Sequence, residues 1–525
     1  MQTKLSPDTK EIIHAIDQAK KQREISISEF FTKNRHLLGF DNSLKALSTT
    51  IKEGVDNALD ACEESNILPN IIVEVKQVSE KRYKIIIEDN GPGIVKEQIP
   101  KIFGKLLYGS KFHKLSQTRG QQGIGISAAA LYSQLTTGKP IKVTSRISKN
   151  KPTHYYEIHL DTQKNEPEIT KEEEINWEAD HGTKVEMEME GKYQRGKRSV
   201  SEYMKHTAVS NPHAKLILIE PNGTKIEYPR ATTTLPERPK EIKPHPDGIE
   251  LGILINMLKS TYSRTLQSFL TTEFSRIGSG TAKKICELAK LYTNARPSRI
   301  AKQEADNLLQ AMRNTKFISP QTDCLSPIGN DLLKKSLQKE FDAEFYTTIT
   351  RSTSVYRGNP FIIEAGLAYG GNLDKESSAE LIRFANRVPL QYQQSACAMS
   401  KSIMKTKWKQ YGLRQSNGSL PVGPIVIIVH IASVWVPFTS ESKEAIAHYP
   451  EIIKEIKLAI QECGRQLGKY LNKRYKSKEE ERKKSYLEKY VPVIGEALKE
   501  ILSLTDVEEN KIIKDLKFVL EKSRK

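Results

Sequence analysis

The sequence predicts an α+β multidomain protein, and three observations carry that prediction. The chain has 525 residues, too many for one hydrophobic core, so roughly three or four domains are expected. Two stretches mix alternating strand patterns with helical spacing, and an all-helical stretch lies between them. Prolines crowd the first junction, "YPRATTTLPERPKEIKPHPDG", where regular pairing is interrupted.

The elements follow in order. Residues 1–25 read as a polar arm with a short helix, and residues 26–229 as the first α+β unit. In that unit a helical pattern runs to about Glu64, and "NIIVEVKQVSEKRYKIIIEDNGPG" reads as two strands turning at Ser79-Glu80-Lys81. Strands are then expected in "KPIKVTSRIS", "THYYEIHLD", "TKVEMEMEG" and "KLILIEPNGTKIEY". Residues 230–315 read as a small helical domain, from the apolar spacing in "GIELGILINMLKS" and "TAKKICELAKLY". Residues 316–470 form the second α+β unit, with the apolar strand "PVGPIVIIVHIASVWVPF" and a long helix beginning at about Glu441. Residues 471–525 form a tail that opens on the charge run "NKRYKSKEEERKKS" and ends in amphipathic helix.

Composition bounds the partners. The net charge is +18, which favours nucleic acid, because phosphate neutralisation supplies most non-specific DNA affinity. A Lys-rich surface that only confers solubility is the competing reading. Five scattered cysteines form no CxxC pair. That argues against a zinc site or disulfide framework and leads us to expect a cytoplasmic protein. The N-terminal stretch has no apolar signal core. No run of about 18 apolar residues appears, so no membrane partner is expected.

Chemistry is concentrated in four short segments. In "IKEGVDNALDAC" the residues Glu53, Asp56, Asn57 and Asp60 share one helical stripe, opposite Ile51, Val55, Ala58, Leu59 and Cys62. Alone, that stripe is what any surface helix shows. "EDNGPG" closes a strand, and Asp89 there can accept a hydrogen bond from an exocyclic amine such as that of adenine. "RGQQGIGIS" carries glycines into a helix start, where backbone N–H groups and the dipole favour phosphate. "HGTKVEMEM" puts Gly182-Thr183 before a strand. There is no GxxxxGK[ST] loop.

These four segments in this order resemble the nucleotide site of the GHKL ATPases, the family of gyrase, the Hsp90 chaperones, histidine kinases and MutL repair proteins. The resemblance implies a Bergerat-type α/β sandwich that binds ATP and Mg²⁺. It implies Glu53 as general base and Asn57 as Mg²⁺ ligand, with weaker claims for Asp56 and Asp60. It implies Asp89, Gly93 and Thr183 around adenine. Ser110, Lys111 and the lid Arg119, Gly120, Gln121, Gln122, Gly123, Ile124, Gly125 and Ile126 match positions around the phosphates.

The remainder of the chain resembles the B subunits of the type IIB topoisomerases (topoisomerase VI). Residues 248–315 are similar to their helix–two-turn–helix insert, and the second α+β unit to their transducer domain, which has a ribosomal-protein-like fold. "TKWKQYGL" matches a WKxY element there. No Asp-x-Asp pair of the kind used in strand cleavage occurs. The resemblance therefore implies an ATPase and gate subunit that dimerises on ATP and passes duplex DNA. Cutting would be done by a separate topoisomerase VI A subunit in an A2B2 assembly. It also implies that Lys443, expected in the first turn of the helix at Glu441, reaches the γ-phosphate. Two basic patches suit DNA: Arg195, Lys197 and Arg198 in "KYQRGKRS", and Lys409 with Trp408 and Tyr411 in "MKTKWKQY". A solvated loop and a core Trp are the alternative. An Hsp90-like chaperone, a GHKL phosphotransferase, a MutL-like repair ATPase and a non-enzymatic DNA scaffold are the other readings. The basic charge, the helical insert and the absence of a two-helix phosphoacceptor segment weigh against the first two.

Overall fold

The computed structural model describes residues 17–20, 22, 25–109, 116–120, 123–318, 320–440 and 442–522. Most of the expected arm lies outside that set, as do Ser110, Lys111, Gln121 and Gln122.

Strand alternation builds the first sheet. β1 (Asn70–Ser79) and β2 (Arg82–Asp89) pair antiparallel through the expected turn. They are joined by β3 (Ile141–Arg146), β4 (Thr153–Asp161), β5 (Glu166–Ile175), β6 (Gly182–Glu190), β7 (Lys215–Ile219) and β8 (Lys225–Tyr228). The order is β5-β4-β3-β6-β2-β1-β7-β8. Sequence reading missed β5, "EPEITKEEEI", because it is charged and mostly exposed, as suits an edge strand. Register brings distant polar residues side by side. Asp89 of β2 lies opposite Thr183 of β6, and Thr183 lies opposite Ser145 of β3. Three polar side chains thus form a row at one end of the sheet.

Helices cover the other side of this core. α1 (Ile27–Lys33) precedes α2 (Ser43–Glu64), which starts where the Asn42 side chain accepts from the Lys45 amide. α2 buries Leu47, Ile51, Val55 and Leu59 in the main cluster with Val73, Ile85 and Met187. Its contact with β2 is close: a Cβ on Gly54 would stand 2.3 Å from Ile87 Cδ1. α3 (Ile99–Gly104), α4 (Gly125–Thr137) and α5 (Val200–Ser210) complete the unit.

Four helices follow: α6 (Leu251–Ser260), α7 (Leu266–Glu273), α8 (Ser279–Leu288) and α9 (Lys302–Arg313). They share their own cluster, including Leu254, Phe269, Ile285 and Leu308.

The second sheet contains β9 (Phe345–Thr350), β10 (Ser354–Tyr356), β11 (Asn359–Tyr369), β12 (Glu380–Ala385) and β13 (Val388–Pro389). A small separate pair, β14 (Arg414–Gln415) and β15 (Pro421–Val422), precedes its last strand. That strand, β16 (Ile425–Ser433), lies between β11 and β12 and is buried at every position. Its near-continuous apolar run is what a strand covered on both faces requires. One face packs on α11 (Ala398–Met404) and α12 (Pro450–Leu502) through Ile403, Ile456, Ile460 and Leu467. The other packs on α10 (Asn330–Glu340), and that cluster also takes in Val209 of α5. The two α+β units therefore share a hydrophobic joint.

Two expectations about this region are corrected. Glu441 itself lies outside the described residues, but Ser442 to Tyr449 are not helical, and α12 starts at Pro450 with Tyr449 extended before it. Proline fits the first helical position and disfavours helix in the residue before it. The segment between is a loop closed by a Phe438–Ile446 bridge. The charge run after Asn472 is not a separate opening of the tail: α12 runs through it for 53 residues. α13 (Asp506–Lys522) folds back on its end.

Candidate active site

A cavity of about 590 Å³ opens between α2, the end of the first sheet, the start of α4 and the loop before α12. Its lining includes Glu53, Asn57, Asp89, Gly93, Gly120, Gly123, Ile124, Gly125, Ile126, Thr183 and Lys443.

Helical spacing separates the four polar residues of α2. Asn57 is exposed and Glu53 half-buried, both toward the cavity. Asp56 and Asp60 are buried instead. Asp56 accepts from the Tyr203 hydroxyl at 3.2 Å, and burial pushes its pKa up to about 7. Asp60 pairs with Arg119 at 2.6 Å. Glu53 lies against the start of α4: a Cβ on Gly125 would stand 1.8 Å from Glu53 Oε2. Only glycine there leaves the carboxylate its place.

At the floor, Asp89 Oδ1 accepts from the amides of Gly91 at 2.8 Å and Thr183 at 3.3 Å. Burial raises its pKa to about 6, against those two bonds. Gly93 has φ +71°, and a Cβ there would meet the Arg146 carbonyl oxygen at 2.1 Å, so the loop needs glycine on both counts. Ser145 is a residue that the sequence reading missed. Its hydroxyl receives the Ile94 amide at 2.8 Å and lies 3.2 Å from Thr183 Oγ1. Strand alternation in "IKVTSR" is too weak a signal to have marked it.

Arg119 is corrected. It does not line the large cavity; its guanidinium is buried against Asp60, Glu63 and Asn211. Burial works against ionisation of Glu63, but Arg119 and His213 hold it well below the usual carboxylate range. Arg119 thus anchors the base of the lid rather than offering charge to phosphate.

Lys443 reaches the site from the second unit. It is half-buried in a loop, with φ +53° and its amide 3.1 Å from the Ser440 carbonyl. It has no helix dipole to oppose it, contrary to expectation. Burial lowers its pKa, and the nearby Glu53 carboxylate opposes that shift. Leu390, Gln391 and Tyr392 also line the cavity. Nothing in the sequence near Glu53 announces them, because they arrive more than three hundred residues later.

The basic patches divide. Arg195, Lys197 and Arg198 are exposed, with Arg195 2.9 Å from Glu220. Lys409 is exposed too. Trp408 and Tyr411 are corrected as DNA-facing aromatics. Trp408 is fully buried and donates Nε1–H to the Ile403 carbonyl at 2.9 Å. Tyr411 packs on the glycine surface of α12, close to Gly464. These rings belong to the core of the second unit.

Similarity to known proteins agrees with this geometry. Residues 42–190 match the model of the histidine kinase-, DNA gyrase B- and HSP90-like ATPases. Residues 320–483 match the transducer of the topoisomerase VI B subunit. The B subunit of type 2 DNA topoisomerase 6 from Methanococcoides burtonii is 52% identical over 93% of this chain and 79% of its own length. The chain belongs to the family of topoisomerase 6 B subunits. Members from Methanosarcina mazei and Archaeoglobus fulgidus are 50% and 49% identical, over 79% and 82% of their lengths. The protein is therefore the ATPase subunit of a type IIB topoisomerase, and its GHKL domain is an ATP-binding domain. No helix among the described residues is long and apolar enough to cross a membrane.

Proposed function

We propose that ATP with Mg²⁺ occupies the 590 Å³ cavity and that its hydrolysis gates duplex DNA. Glu53 orients and deprotonates the attacking water. Asp89, supported by Thr183 and Gly93, reads the adenine amine. The lid from Gly120 to Ile126 presents backbone N–H groups to the phosphates. Lys443 meets the γ-phosphate.

The donor set suits Mg²⁺. Asn57 offers an exposed amide oxygen, and among the described residues no three acidic, His or Cys side chains cluster as a metal cage. Mg²⁺ in nucleotide sites is held by one or two protein ligands together with phosphate oxygens, whose charge it neutralises.

One observation carries the reading: Lys443 and Glu53, 390 positions apart in the chain, line one cavity. Departure of the phosphate that Lys443 would meet can then move one unit against the other.

The finer architecture is part of the proposal. It comprises a GHKL domain over 26–229, a helix–two-turn–helix domain over 230–315, a transducer of ribosomal-protein-like fold over 316–470 and a C-terminal tail. So is the assembly. Two copies of this chain would dimerise on ATP and join two DNA-cleaving A subunits in an A2B2 complex that acts on duplex DNA. Arg195, Lys197, Arg198 and Lys409 would lie along that duplex. Five free cysteines, all buried, suit the cytoplasm.

The test is a pair of variants. Glu53→Ala should bind ATP but lose hydrolysis about 10²- to 10⁴-fold. Asn57→Ala should lose Mg²⁺-dependent nucleotide binding as well. Normal turnover in Glu53→Ala would reduce the acidic stripe to a solvated face.

A further inference from the structure

We infer that Lys45 and Glu444 are positioning residues for hydrolysis: their ion pair holds the Lys443 loop against α2. This rests on the proposed role of Lys443.

The argument begins with adjacency. Lys443 and Glu444 are consecutive in the loop, and both touch α2 or its surroundings. Lys443 lines the cavity with Glu53. Glu444 is buried, and its Oε1 lies 2.5 Å from Lys45 Nζ. Lys45 and Glu53 are both on α2, eight positions apart, or about two turns. The loop is therefore gripped on the same helix that carries the catalytic carboxylate.

The grip is built on both sides. Lys45 is also 3.1 Å from Asp41 and sits over the Tyr392 ring at 5.6 Å. Only 12% of its side chain is exposed, and 6% of that of Glu444. Burial works against the Lys45 ammonium, yet the bonds to Glu444 and Asp41 hold its pKa above the ordinary lysine value.

The loop needs such a grip. Lys443 has φ +53°, a left-handed conformation that a lysine holds only when its surroundings impose it. The Thr439 amide bonds the Ala445 carbonyl at 2.9 Å, and the Ala447 amide bonds the Pro437 carbonyl at 2.8 Å. These bonds fix the loop's neck. Its tip, where Lys443 lies, is joined to the first unit by the Glu444–Lys45 pair. Without that pair the ammonium keeps its charge but loses its address.

The test reads nucleotide preference and turnover together. For wild type, Lys45→Met, Glu444→Gln, Lys45→Arg and Lys443→Ala, calorimetry gives affinities for ADP and for a non-hydrolysable ATP analogue. Steady-state assays give kcat and KM. Lys45→Met and Glu444→Gln should each lower kcat and the preference for the triphosphate about tenfold, an effect typical of coupled neighbours. ADP affinity should stay within about twofold, as expected if only a contact to the γ-phosphate is lost. Lys45→Arg should keep most of the wild-type behaviour. Adding Lys45→Met to Lys443→Ala should cost nothing further, because the group being positioned is already gone. A general loss of folded protein would instead lower activity by the same factor in both backgrounds and weaken ADP binding too.

An unchanged preference in Lys45→Met and Glu444→Gln overturns the inference alone, as does a loss that multiplies with Lys443→Ala. An unchanged preference in Lys443→Ala sinks the γ-phosphate reading itself, and the inference with it.

Discussion

Asp56 and Glu53 sit three residues apart on α2 and face opposite surroundings. Glu53 borders the cavity, while Asp56 is enclosed beneath the Tyr203 hydroxyl. The pKa of Asp56 rises from 3.8 to about 7, chiefly through burial. The native state therefore holds an extra proton in that window. Stability falls as pH rises through it, by at most about 4 kcal/mol for a shift of this size. Asp56→Asn keeps the acceptor for Tyr203 and removes the charge. Its melting temperature relative to wild type should rise between about pH 4 and pH 7 and level off above that. A difference independent of pH would mean that burial does not govern this carboxylate. The same helix shows the limit of periodicity. Spacing put four polar residues on one stripe, but a stripe of a helix packed between a sheet and α5 is not all solvent-facing. Which carboxylate was enclosed depended on Tyr203 and Arg119, residues far off in the chain.

Among the elements, α4 begins on a glycine for a steric reason. Gly125 does not have a left-handed backbone, so alanine there is conformationally permitted. Its Cβ would overlap Glu53 Oε2 at 1.8 Å, and the carboxylate must move. A displacement near 1 Å costs about 10²-fold in rate, so Gly125→Ala should lower kcat about that much with little change in KM. Steady-state kinetics beside a melting curve would check it, and unaltered kcat would mean that the Glu53 rotamer is not the catalytic one. The strands β1, β2, β6 and β16 were legible because alternation or an unbroken apolar run marks them. The edge strand β5 was not, because edge position and charge erase both signals. The helix start at Pro450 was hidden by helix-forming residues from Ser442 to Ala447, which tertiary contacts hold as a loop. In WKxY the sequence leaves a DNA-facing patch and a core Trp both open, because a local pattern of Lys and aromatics cannot tell which rings turn inward.

For the whole molecule, the two α+β units meet through the cluster around Val209, Leu333 and Ile428, and the cavity is lined by residues of both. The fold of each half could be read from its own sequence. The junction could not, since Gln391, Tyr392 and Glu444 reach the site only through tertiary structure. The +18 charge also acts at this scale. Charge reversal at Arg195, Lys197 and Arg198 should weaken DNA-stimulated ATP turnover. The salt dependence should flatten by about two phosphate contacts, each worth about 0.9 in log–log slope. The third residue, Arg195, already pairs with Glu220. Unchanged salt dependence would remove that loop from the DNA path. The central claim is that the second unit completes the ATPase site through Lys443. The measurement that bears on it most directly is ATP turnover and ADP affinity of Lys443→Ala. Turnover should fall about 10²-fold, as when one preorganised charge is removed from a developing transition state, while ADP affinity holds. Wild-type turnover, or equal losses of both, would contradict it.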